Sequence, residues 1–427
     1  MSVLNVGSGQ QYTTLASAIA AARDGDTIEV QAGTYTNDFA IITHDVTIEG
    51  VGGMVDLVAT QSPPNGKAIL TTDANVTIEN VTFSGASVPD GNGAGIRYET
   101  GNLVLDNDVF KNNQEGLLAA DDPQGSITIT NSTFTHNGKG DGQTHNLYVG
   151  DIGTLTIDHS TFTDAVVGHE IKSRAETTII ENSLIADGPT GSASYSIDLP
   201  NGGNATIRNN VIEQGPETQN PTIIAFGEEG NVHAGSSLTI AGNTIVNDLA
   251  KPDAQLLWNA TGATASLAGN AIYGLAPGQL GGGIAETGTI HLASEPALAL
   301  PAAAGGPPGT PPAPAAPADP IPPADPATPA DPGGVTAAAP ALHAAPGAWH
   351  VGENAWVPHH FHAAAVGGRT PGHPAAPDWL LQAMGEPTHG ALREALGALE
   401  HHGHEGGPLT LAHILPQGQH LDFVPHH

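Results

Sequence analysis

Between Val76 and Ile272 one alternation of apolar and polar positions returns eight times. Its first copy is Val76-Thr77-Ile78-Glu79-Asn80-Val81-Thr82-Phe83, and it begins again at Leu103, Ile127, Leu155, Thr178, Ala205, Leu238 and Ala265. Side chains alternate across a strand, so each copy turns Ile, Leu and Val to one face and Thr, Glu or Asp to the other. Short strands recurring every 23–33 residues are the pattern of a solenoid whose coils stack. The fifth position carries Asn80, Asn107, Asn131, Asn182 and Asn209, interrupted by His159, Gly242 and Gly269. Asparagine tolerates a left-handed backbone and its amide can bond the copy one coil away, so this column is read as a structural corner.

Upstream, Tyr12 to Ala22 places apolar residues at helical spacing and Gly25 ends the run. Thr27-Ile28-Glu29-Val30 and Val46-Thr47-Ile48-Glu49 then alternate as strands, with Gly33 and Gly50 as turns. A helix before the first coil covers an edge and core that would otherwise meet water. This opening, with the repeats after it, resembles the start of right-handed parallel β-helix proteins of the pectate-lyase-like superfamily. The resemblance spans about residues 1–295 and implies an all-β, single-stranded right-handed parallel β-helix with an N-terminal capping helix.

Composition changes beyond that point. Residues 296–346 are Pro- and Ala-rich, a linker that cannot bury a core. Residues 347–427 are His-rich, with one expected helix over Pro377–His401. His359-His360-x-His362 and His401-His402-x-His404 offer loose sites for a transition metal such as zinc, nickel or copper. The short amphipathic end, Leu409–Leu415 and Leu421–Val424, suits a C-terminal export signal.

With 43 acidic residues against 11 Lys plus Arg, the net charge of −32 argues against nucleic acid as a partner. It fits a salty or calcium-containing medium. There is no cysteine, which excludes disulfides and thiolate chemistry. No apolar run is long enough to span a membrane. Met1–Gly7 lacks the basic and apolar regions of a cleavable signal peptide. The expectation is a monomeric bacterial protein that is exported without such a peptide and acts on a polysaccharide outside the cell.

A second strand column lies between the copies, aligned on Ile96, Leu117, Leu147, Ile171, Ile197 and Ile224 as inward residues. Alternation then turns both neighbours outward. The residues one place later are Arg97, Leu118, Tyr148, Lys172, Asp198 and Ala225; those one place earlier include Asn146, Glu170 and Ser196. The result is an outward patch of Asn146, Tyr148, Glu170, Lys172, Arg174, Ser196 and Asp198 over three coils. Arg97 lies two coils away, His145 and His169 sit at the margin, and Ser194–Gly203 and Phe226–Gly230 are turns framing the groove, with Asn201 on the first. Aromatic platforms are scarce there, Tyr98, Tyr148, Tyr195 and Phe226 being the aromatic residues noted.

The stretch Gly168-His169-Glu170-Ile171-Lys172-Ser173-Arg174 is similar to one in β-helix lyases acting on alginate or dermatan-type chains, where acidic calcium ligands precede a Lys-Ser pair. That resemblance implies Lys172 as the base with an arginine assisting; β-elimination chemistry then makes Lys172, crowded by Arg174, a base of lowered pKa, Arg174 the group that neutralises a uronate carboxylate and Tyr148 the one that protonates the leaving oxygen. Ca2+ held by Glu170 and Asp198 is the alternative to Arg174 for that neutralisation, and the patch and its margin offer Arg97, Asn146, His145, His169, Ser196, Asp198 and Asn201 for binding substrate. Asp121-Asp122, Gly168-His169 and Ile171-Lys172 are also similar to polygalacturonase motifs, which implies hydrolysis by paired carboxyl groups, with Asp151 and Asp198 as the candidates. The alternative of another class is a non-catalytic, adhesin-like β-helix that binds a surface or polymer.

Overall fold

The computed structural model describes residues 1–301 and the backbone of two further strands, Ala348–His350 and Trp356–Pro358. Those two strands pair antiparallel within the C-terminal unit, Ala316–His427, as a hairpin that the sequence pattern did not predict. The rest of the Pro/Ala-rich segment, the helix expected at 377–401, both histidine clusters and the amphipathic end lie outside the described residues.

Residues 1–301 coil as a parallel β-helix. Nine strands, from Ala40–Ile42 to Gln255–Asn259, stack into one sheet in which each pairs with the strand one coil away. The recurring phrase builds the other wall, a 21-stranded sheet. Each phrase contributes two strands, bent at its fifth residue: Val76–Glu79 and Val81–Ser84 flank Asn80. The bend is left-handed at every corner of the column, with φ near 60° at Asn80, Asn107, Asn131, His159, Asn182, Asn209, Gly242 and Gly269. Corner amides link coils as expected, Asn107 Nδ2 donating to Asn80 Oδ1 at 2.7 Å. Where the partner is an acid the carboxylate takes its place: Asn131 donates to Asp106 and Asn182 to Asp158, each at 2.7 Å.

A second ladder runs inside the first. The residue after each corner, from Asp108 through Ser132, Ser160, Ser183, Asn210 and Asn243 to Asn270, is fully buried. Each accepts the backbone N–H of its counterpart one coil earlier, so the turn carries its own hydrogen-bonded spine. Beside it, Phe83, Phe110, Phe134 and Phe162 stack with ring centroids 4.4–4.8 Å apart, the spacing of the coils themselves.

The capping helix is shorter than the apolar pattern predicts, Leu15–Ile19. Thr14 Oγ1 accepts from Ser17 N, and the Asp38 carboxylate accepts from Leu15 N and Ala16 N, which fixes the start at Leu15. Tyr12 is drawn instead into backbone pairing with Asn5 and Gly7.

Candidate functional site

The nine-stranded wall keeps the register read from the pattern. Ile96, Leu117, Leu147, Ile171, Ile197 and Ile224 are successive partners and fully buried. One place later, Leu118, Tyr148, Lys172, Asp198 and Ala225 pair in turn. Trp258 extends this outward column two coils beyond Asp198 and is exposed, a flat aromatic that the sequence reading passed over.

The column one place earlier does not face solvent. The strands Leu147–Val149, Ile171–Ser173 and Ile197–Leu199 begin at the inward residue, so Asn146, Glu170 and Ser196 belong to the preceding bend and their side chains fold under it. Asn146 Nδ2 donates to Glu170 Oε2, and Glu170 Oε1 accepts from Ala165 N at 2.9 Å. Ser196 Oγ donates to the Glu213 carbonyl at 3.3 Å. These three are corrected from substrate or metal ligands to parts of the wall. Burial raises the Glu170 carboxyl well above its usual range, which further disfavours a charged ligand there. Arg97 is also apart, paired with Glu99 on its own strand at 2.9 Å. Asp122 bonds Tyr98, Thr100 and Gly101, and Asp121 accepts from Asp151 N, so the Asp-Asp pair secures corners.

What completes the patch comes from far along the chain. After strand Thr222–Phe226 the loop Gly227–Ser236 turns back over the face, held by Gly227 N to Leu199 O at 2.9 Å and His233 N to Asn201 O at 3.0 Å. Gly227 sits at φ +80°, and a Cβ there would fall 2.4 Å from Thr261, so only glycine permits this entry into the loop. Glu229 Oε1 accepts from Lys172 Nζ at 2.8 Å, and Glu229 Oε2 pairs with the Arg174 guanidinium. Arg174 also donates to Asn201 Oδ1 and, through Nε, to Tyr148 Oη at 3.2 Å. Asn201 Nδ2 donates to Gly230 O at 2.9 Å, and His233 Nε2 donates to Arg174 O at 2.9 Å. Beneath them Lys172 Nζ lies 3.0 Å from Asp198 Oδ2. The loop leaves Lys172 8%, Arg174 12%, Asp198 1% and Glu229 34% exposed. Phe226–Gly230, expected as a turn framing the groove, also sends side chains into it; two acids between glycines were the available sign.

Burial opposes the charge on Lys172, but Asp198 and Glu229 outweigh it, and the ammonium's pKa is raised, not lowered as expected. Lys172 therefore acts here as a cation. Burial also raises the Tyr148 phenol, against the pull of Arg174.

A file of rings borders the patch: His145 and His169 stack with centroids 4.6 Å apart, and Tyr195 lies tilted against His169. His145 Nδ1 accepts from His169 N at 3.0 Å and His169 Nδ1 from Tyr195 N at 3.2 Å. Each Nδ1 is thus an acceptor, which places the ring proton on Nε2, and His169 Nε2 donates to Asp198 Oδ2 at 3.2 Å. Burial pushes His169 down to about 4, against the Asp198 charge, and His145 well below its ordinary value. The folded state binds fewer protons than the unfolded one between pH ~6.5 and ~4, so stability is full above that window and falls through it on acidification, by about 3 kcal/mol for His169. Denaturant titrations at several pH values should show a smaller acid loss in His169→Gln than in the wild type.

Calcium held jointly by Glu170 and Asp198 does not fit. Both Glu170 oxygens are engaged inside the wall, and Asp198 Oδ2 already faces an ammonium and an imidazole N–H. Asp198, Glu228 and Glu229 do bring carboxylate oxygens within 4.8 Å of one another, but Lys172 supplies the positive charge between two of them.

The chain is a right-handed parallel β-helix: residues 28–184 match the family described as a right handed beta helix region. Its fold is similar to that of pectate lyase Pel9A, at 14% identity over 68% of this chain and 78% of that one, with a TM-score of 0.45. An alginate lyase from Paenibacillus sp. matches at 20% identity over 68% and 99%, TM-score 0.43. A pectin methylesterase from Aspergillus niger matches at 13% over 68% and 90%, TM-score 0.36. Among the described residues no helix is long and apolar enough to cross a membrane.

Proposed function

We propose that the protein is an exported lyase that cleaves uronate-containing polysaccharides by β-elimination on the face formed by Tyr148, Lys172, Arg174 and Asp198. One observation carries this reading. Lys172 and Arg174, two of only eleven Lys and Arg in the chain, converge on a single carboxylate, that of Glu229. Partly desolvated cations held this way favour a planar carboxylate strongly, and a uronate offers the same group. Substrate binding then exchanges Glu229 for the uronate carboxylate.

Neutralising that carboxylate acidifies the C5 proton of the sugar. Since Lys172 is held protonated, the proton-accepting role passes to Tyr148, whose oxygen already receives Arg174 Nε–H and whose phenolate that guanidinium would stabilise. The raised phenol makes turnover climb toward alkaline pH. Trp258, along the same column, offers a flat ring for a neighbouring sugar.

Incubation with polyuronates should yield unsaturated chain ends, followed by their ultraviolet absorbance, and Arg174→Ala should lower the rate at least ~100-fold. Retained polymer binding with no unsaturated ends at any pH would instead favour the non-catalytic, adhesin-like reading. New reducing ends without unsaturation would favour hydrolysis.

A further inference from the structure

Asp198 and Glu228 meet beneath the loop with their carboxylate oxygens within 4.8 Å. Asp198 Oδ2 is supplied with donors by Lys172 and His169, while Asp198 Oδ1 and Glu228 Oε2 are both buried and, taken as ionised groups, have no donor at all. Two buried carboxylate oxygens in that position repel each other and lack hydrogen bonds, a combination native interiors avoid. A single proton between them removes both faults. The remaining groups that act on Glu228 and Asp198 do not supply it: Lys172 and His169 are directed at Asp198 Oδ2, Tyr195 is engaged with Asn220, Glu229 is an acceptor, and the Glu228 backbone N–H bonds its own carboxylate without satisfying Oε2.

We propose that Asp198 and Glu228 share one proton, resident on Glu228, and that Glu228 is the acid that delivers it to the leaving glycosidic oxygen. The second half rests on the lyase reading above. The location follows from charge: Asp198 is stabilised as an anion by an ammonium and an imidazole N–H, and Glu228 by its own neutral backbone N–H. In keeping with this, burial pushes Glu228 up, helped by the neighbouring Asp198 charge, and Lys172 with His169 draws Asp198 down against its own burial.

In the step itself Tyr148, having first given its phenolic proton to solvent, takes the C5 proton on Oη. The C–H electron pair becomes the C4=C5 double bond, and the C4–O bond breaks. The leaving oxygen takes the Glu228 proton and departs as a hydroxyl. Asp198 and Glu228 are then both ionised, with the Lys172 ammonium among them to offset the added charge. Tyr148 keeps the C5 proton as a phenol and Glu228 regains a proton from solvent, which restores the resting state with no oxidant or co-reactant.

Glu228→Gln separates the claims, because a Gln amide can donate to Asp198 as the protonated carboxyl does but cannot give up a proton. In the wild type the folded state holds a proton on Glu228 that the unfolded chain releases above the ordinary glutamate range. Wild-type stability therefore falls relative to Glu228→Gln as pH rises from that range into the alkaline. Glu228→Gln should melt no lower than wild type at neutral pH, with the advantage shrinking on acidification. Its turnover of polyuronate should drop ~100-fold or more and recover on a uronoside carrying an aryl leaving group that needs no acid. A Glu228→Gln protein less stable than wild type at neutral pH overturns the shared proton. Normal turnover by this variant overturns the acid role and leaves the lyase reading standing. Absence of turnover by the wild type removes the acid role together with that reading, while the stability comparison still judges the proton.

Discussion

Lys172→Met should destabilise the β-helix by about 3–5 kcal/mol, and most of that loss should return when Asp198→Asn is added. The ammonium is nearly enclosed, 3.0 Å from Asp198 Oδ2 and 2.8 Å from Glu229 Oε1. Removing it leaves Asp198 as a buried anion with only the His169 N–H, beside another carboxyl at Glu228. Glu229 loses less, since Arg174 still holds it and the group is partly exposed. The penalty is thus concentrated on Asp198, and neutralising that residue should relieve it. Urea denaturation of both single variants and the double variant measures the coupling. A Lys172→Met cost below about 1 kcal/mol would mean the network is no more than a solvated surface pairing.

The second large effect is expected at two adjacent asparagines of opposite character. Asn210→Ala should cost about 3 kcal/mol, whereas Asn209→Gly should change stability by a few tenths. Asn210 is buried, accepts from Ser183 N at 2.9 Å, and donates to Ile180 O at 2.9 Å and Asn243 Oδ1 at 3.1 Å. Truncation leaves an orphaned N–H and a weakened carbonyl where no water reaches. Asn209 occupies the corner at φ 56°, a conformation glycine adopts freely, and the same column holds Gly242 and Gly269. Equal effects at the two positions, read by thermal or urea melts, would contradict the assignment of separate corner and spine ladders.

The difference between those asparagines marks how far the sequence could be read. Corner asparagines recur at one place in a recognisable phrase, so their left-handed backbone and their amide contacts were legible. The spine behind them is built from Asp108, Ser132, Ser160, Ser183 and Asn210, residues that look like ordinary polar turn positions. Only the inward direction of the bend shows that they are buried. Strand register was legible for the same reason as the corners, and it brought Tyr148, Lys172 and Asp198 into one column. It failed one residue earlier, at Asn146, Glu170 and Ser196, because alternation holds within a strand and these residues precede one. The loop that completes the site was the least accessible feature. Glu229 meets Lys172 57 residues away in sequence, a fold-back that no periodicity encodes. The raised pKa of Lys172 comes first from Asp198, which the register already placed beside it, and then from Glu229 on that loop, so only part of its cause was legible.

The central claim is that Lys172 and Arg174 form a carboxylate site now occupied by Glu229. Calorimetric titration with a short saturated uronate oligomer, set beside a neutral oligosaccharide of equal length, tests it most directly. The acidic oligomer should bind the wild type, bind Glu229→Gln several-fold more tightly because the internal competitor is gone, and lose measurable affinity for Arg174→Ala. Equal binding of acidic and neutral oligomers, or acidic binding unchanged by Arg174→Ala, would contradict it.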